Sequence, residues 1–106
     1  MSPTGPKGAD LLEKLLLEQI YDDSTQWIQS GCDPSVFLEM VRLHGPIEAC
    51  SRAVMQPALL STSLKLWQMN RLDLTIEALV LRDRFKILFC DPVLVMARQR
   101  LAERRS

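Results

Sequence analysis

Among the 106 residues, the side chains that could do covalent chemistry are few and scattered: three cysteines (Cys32, Cys50 and Cys90), one histidine (His44) and several carboxylates. Cys50 and His44 are the first pair to weigh, since a thiol needs a neighbouring base to act as a nucleophile. Their spacing crosses Gly45 and Pro46, a helix junction that fixes no mutual geometry, and no second histidine stands in reserve. Cys50 is therefore read as a buried thiol. His44 is read as a helix-terminal residue whose charge suits a C-terminus. The cysteines form no CxxC pair and their number is odd, so neither a zinc site nor a fully paired disulfide set is expected. Three reduced, mostly buried thiols and a cytoplasmic location fit best.

Paired carboxylates point to general acid and base work only when they share a direction. Asp22 and Asp23 are adjacent and diverge by about 100° on a helix, so they cannot share a site. Asp73 and Glu77 stand at i, i+4 with Arg71 nearby, a spacing that lines one face. Structure explains them better: Asp73 as the cap of a helix, Glu77 in its first turn, Arg71 as an ion-pair partner. The four glycines, Gly5, Gly8, Gly31 and Gly45, spell neither GxGxxG nor GxxxxGK[ST], which excludes nucleotide binding through those loops. No catalytic residue, cofactor or metal is predicted, and the chain is not expected to be an enzyme.

The elements that must position these residues are helices. A periodic segment from Asp10 to about Ser30 ends at Gly31, a natural left-handed stop. It places Leu11, Leu12, Leu15, Leu16, Ile20 and Trp27 on one stripe, with Asp23 inside it in need of a donor, and Leu17, Tyr21, Ser24 and Ile28 on a second line. Asp33-Pro34 opens a second helix in which Val36, Phe37, Met40 and Val41 recur at helical spacing. Pro46 opens a third, with Ile47, Cys50 and Val54 inward and Pro57 as its end. A fourth is expected near Ser61–Asn70 with Leu64 and Trp67 sharing a face, and a fifth after Asp73 with Ile76, Leu79 and Val80 inward. A short element from Asp83 carries Phe85, Leu88 and Phe89, and a last helix runs from Asp91-Pro92 to about Glu103. The fold class is all-α, a compact bundle of six to seven short helices in one domain over residues 10–103. Residues 1–9 are expected to be a flexible segment and 104–106 a frayed tail.

Composition limits partners. The net charge is zero, so no global field draws the chain to polyanions. The distribution is uneven, two basic against seven acidic residues from Met1 to Val41 and eight against five from Arg71 onward. That basic half keeps nucleic-acid binding in view through Arg82, Arg84, Lys86, Arg100 and Arg104. On the last helix Leu94, Ala97 and Leu101 form the inward stripe, with Arg98 and Arg105 on one edge and Arg100 and Arg104 on the other. This is the layout of snorkelling side chains around a core contact, so nucleic acid ranks second. The leading expectation is a non-enzymatic protein-interaction module. Its partner is another protein or a second copy in a homodimer, and its contact residues are Leu17, Tyr21, Ile28, Val95 and Met96. The leucine run Leu11–Leu17, interrupted by Glu13 and Lys14, is far too short to span a membrane, and no membrane role is expected.

From Gly45 to Leu101 the residues also carry a likeness: Leu66-Trp67, then Arg71-Leu72-Asp73-Leu74-Thr75 with Glu77-Ala78-Leu79-Val80-Leu81, then Phe89, Ala97-Arg98 and Leu101. This series resembles a small helical module of otherwise uncharacterised bacterial proteins. Where that module has paired glycines followed by Glu-Ala, this chain has Gly45-Pro46-Ile47-Glu48-Ala49. Where a glycine precedes the Arg-Leu-Asp run, Asn70 stands, the other residue that tolerates a left-handed turn. The resemblance implies a shared fold and a role accessory to a larger bacterial system, beside nucleic-acid-handling or defence proteins. It brings no catalytic residues.

Overall fold

The structure is a computed structural model describing residues 7–56, 66 and 68–105, without the side chains of 7–9, 104 and 105. These residues form five α-helices: α1 (Lys7–Gln29), α2 (Ser35–His44), α3 (Pro46–Met55), α4 (Ile76–Val80) and α5 (Asp91–Arg105). Two 3-10 turns, Leu72–Leu74 and Lys86–Leu88, link the last of them. The all-α class stands, and the number of helices is corrected from six or seven to five among the described residues. The expected element after Asp83 is one of the 3-10 turns, because Phe85, with no exposed surface, pins the chain into the core before a helix can propagate. The features expected at Pro57, Ser61–Ser63, Leu64 and Trp67 lie outside the described residues.

Local chemistry accounts for the helix ends. α1 begins at Lys7, three residues before the expected Asp10, and closes at Gly31, whose φ is +84°. There the Cys32 N–H donates to the Trp27 carbonyl at 2.7 Å and the Gly31 N–H to that of Ile28 at 3.0 Å, the paired bonds of a Schellman stop. Asn70, at φ +59°, does the same for the preceding segment, with Arg71 N–H donating to Leu66 O at 2.9 Å. Gly45 alone separates α2 from α3. Its N–H closes α2 on Val41 O at 2.8 Å and its carbonyl accepts from Ala49 at 3.0 Å, with φ +85° favouring glycine. Asp33 starts α2 one residue earlier in register than a strict cap, its Oδ1 accepting the Ser35 N–H at 2.9 Å.

Asp73 does not cap α4. Thr75 does, its Oγ1 accepting the Ala78 N–H at 3.2 Å while donating to Leu72 O at 2.7 Å. The 3-10 turn carries Asp73 outward to an exposed ion pair with Arg71, leaving Thr75 in the extended conformation that a cap requires. α5 starts on the Cys90 carbonyl, which accepts from Val93 and Leu94, and runs to Arg105 rather than Glu103.

α3 sits at the centre, with α1, α2, α4 and α5 all resting on it. Small side chains make that crowding feasible: Ala49, Cys50, Ala53 and Val54 are its buried residues beside Pro46. α1 contributes Leu16, Ile20 and Trp27, and the second half of the chain contributes Leu74, Ile76, Leu79, Val80, Phe85, Val93 and Ala97. The first stripe is narrower than expected. Leu11 is exposed and Leu12 and Leu15 are half-buried, so full burial along α1 begins at Leu16. Val36, grouped with Phe37, Met40 and Val41 by helical spacing, is exposed beside the buried Phe37, since the inward direction of α2 passes through Phe37 and Val41.

Candidate interaction surface

Leu17, Tyr21 and Ile28 share one flank of α1, as their spacing requires. Tyr21 is 55% and Ile28 62% exposed, whereas Leu17 is half-buried and packs on the core. At the turn joining α1 to α2, Ile28, Cys32, Pro34 and Leu38 line an open cleft of about 450 Å³. Near the other end of the same flank, Asp10, Glu13, Lys14 and Leu17 face Pro46 across a second cleft of about 270 Å³. The α1 flank is thus an apolar line with a depression at each end.

On α5, Val95 is exposed, and Met96, expected beside it at the surface, is corrected to a half-buried residue packed on the core. The cause is angular: Met96 lies next to the inward stripe of Val93, Leu94, Ala97 and Leu101. Within one molecule, α1 and α5 are both held by α3, so the structure does not merge their exposed residues into a single patch. Sequence reasoning missed Val36 and Leu43, both exposed and seven residues apart on α2, and Ile87, 78% exposed in a 3-10 turn. The i, i+7 spacing of the α2 pair was the available signal. Ile87 gave none, because a 3-10 turn has no amphipathic period to read.

The basic residues behave otherwise than a phosphate-binding row. Arg82 lies 3.8 Å from Asp23 of α1. Arg84 donates to Gln19 Oε1 at 2.8 Å and sits 4.6 Å from the centre of the Phe85 ring. Lys86 pairs with Asp83 at 3.3 Å. Arg100 is half-buried with its Nε inside the protein, and the side chain of Arg104 lies outside the described residues. Gln19 completes the link by donating to Asp23 Oδ1 at 2.9 Å. Arg82 and Arg84 therefore clasp α1 instead of projecting together into water. Asp23, 5% exposed, is held above the usual carboxylate range by burial, partly offset by Gln19 and Arg82. It is the residue that the helical pattern placed on a buried stripe without a donor, and it finds a hydrogen-bond donor one turn away on the same helix and a cation 59 residues away.

The thiol candidates divide by burial. Cys50 has no exposed surface, and burial together with the Asp23 charge pushes its thiol far up, which leaves no thiolate for nucleophilic attack. His44 is exposed at the end of α2, and Cys90, expected to be buried, is exposed at the start of α5 where it serves as the helix-capping position. Glu77 lies in the first turn of α4 as expected and is 2% exposed, because α4 is only five residues long and is covered on several sides. No group of three or more His, Cys, Asp or Glu side chains among the described residues could hold a metal ion. No helix among them is long and apolar enough to cross a membrane. No family model, no curated protein and no solved structure matches this chain.

Proposed function

We propose that this chain is a non-enzymatic helical module that binds another polypeptide through the outer flank of α1. The exposure of Tyr21 and Ile28 on one helical line, in continuity with the cleft at Leu17, carries this reading. Single exposed apolar side chains are ordinary, but two aligned on one flank between two depressions are what a partner's side chains need. Aromatic residues such as Tyr21 are also favoured anchors, since they bury much area at small entropic cost. The sealed Cys50 thiol and the exposed position of His44 support a role without covalent chemistry.

Nucleic-acid binding remains the second reading, favoured by the basic composition of α5 and weakened by the engagement of Arg82, Arg84 and Lys86 within the fold. It requires a shift of labelled duplex or single strand that weakens steeply with salt, and absence of a shift at about 50 mM salt removes it.

Photo-crosslinking in the host cell tests the leading reading. A photoreactive residue at position 21 or 28 should yield a discrete adduct, whereas one at Glu18, exposed on the polar side of α1, should not. Equal labelling from all three positions, or none from 21 and 28, overturns it.

A further inference from the structure

We infer, resting on the interaction-module reading, that the partner is a second copy of this chain, whose α5 lies along the furrow between α1 and α2. The two helices are joined by the turn before Ser35 and both rest on α3, and the proposed trough is the line along α1 that connects its two clefts. The clefts at Ile28 and Leu38 and at Leu17 and Pro46 are its two ends. From Leu17 to Ile28 a helix advances eleven residues, about 16 Å at 1.5 Å per residue.

The outward side of α5 has the matching length and chemistry. Pro92, Val95, Arg98, Gln99 and Ala102 are all exposed on it. Pro92 to Ala102 spans about 15 Å, within one residue of the trough. Val95 and Ala102 supply apolar contacts, and Arg98 makes no ion pair with a described residue. Charge sorts the two surfaces. Leaving out the buried Asp23, α1 carries four acidic and two basic residues, whereas α5 carries four basic and two acidic. The trough itself has Asp10 and Glu13 at one end and Asp33 at the other, against Lys14. Like surfaces would repel, α1 against α1 or α5 against α5, while α5 in the trough brings opposite charges around an apolar centre. The contact therefore joins unlike surfaces, and each copy presents one of each.

That asymmetry gives a decisive measurement. Light scattering across a dilution series should show the mass rising from one chain to about two or more, with added salt moving the transition to higher concentration. Ile28→Glu, which spoils the trough, and Val95→Glu, which spoils the α5 ridge, should each give a monomer with an unchanged helical spectrum. Mixed together they should form a one-to-one pair, because the trough of the Val95→Glu chain and the ridge of the Ile28→Glu chain are both intact. Tyr21→Lys serves in place of Ile28→Glu if that variant melts early. A wild type that stays monomeric throughout, or a mixture that stays monomeric, overturns the inference. Crosslinking of position 28 to a different protein by a strictly monomeric chain would overturn it while leaving the interaction reading in place.

Discussion

The indole of Trp27 donates from Nε1 to the Leu74 carbonyl at 2.8 Å, a single bond tying the end of α1 to the 3-10 turn 47 residues later. Trp27 is 2% exposed and its ring lies 5.9 Å from that of Phe37. Removing the donor leaves a buried carbonyl to be desolvated without compensation. Trp27→Phe keeps an aromatic ring in place and is expected to cost about 2 kcal/mol by urea unfolding followed by circular dichroism. A loss below about 0.5 kcal/mol would show that water reaches Leu74 and that the bond is not a tether.

Thr75 and Asp73 both look like caps of α4 by residue type, and the structure separates them. Thr75→Val preserves shape while deleting a cap and a second hydrogen bond, so it should destabilise by about 1 to 2 kcal/mol. Asp73→Ala removes an exposed ion pair with Arg71 and should change stability by no more than about 0.5 kcal/mol. Thermal melts of the two variants side by side decide it, and the opposite ranking would restore Asp73 as the cap.

What was legible in advance were features set by neighbours in sequence. Gly31, Asn70 and the Gly45-Pro46 junction act as read, because left-handed stops and a helix-opening proline depend on a few adjacent residues. The inward positions of Ile20, Trp27, Val54, Leu79 and Ala97 follow from period alone. The partners of Asp23 were not legible as a pair: the donor Gln19 lies one turn away, but the Arg82 charge comes from a loop placed by the burial of Phe85. The choice between Asp73 and Thr75 turned on the backbone of a three-residue turn that has no sequence period. On the surface, Tyr21 and Ile28 were legible as a line. The clefts beside them arise only when α2 and α3 are in place.

Thiol accessibility differs enough to read by mass spectrometry. Native protein treated with a maleimide should be modified at Cys90, which is exposed, while Cys50 and the 3%-exposed Cys32 react only after unfolding. Prompt labelling of Cys50 in the native state would mean that the contact of α3 with α1 opens readily.

Asp23 makes the pH dependence of stability specific in sign. Burial raises its folded value above the ordinary 3.8, against the smaller pull of Gln19 and Arg82. A raised carboxylate favours the folded state most when it is protonated in both states, below the ordinary value. That contribution is lost as pH rises through the folded value. Asp33 and Glu39 run the opposite way, lowered by Ser35 and by Arg42, but both are exposed and screened. Asp23→Asn keeps an acceptor for Gln19 without a charge to desolvate. The variant should therefore melt above the wild type at about pH 7, with the gap closing towards about pH 4 as Asp23 takes up its proton. Melting curves at several pH values measure that gap. A variant that melts below the wild type at neutral pH would show that the Arg82 attraction outweighs burial, and the clasp on α1 would then be an ion pair in substance rather than a hydrogen-bonded contact with a costly charge inside it.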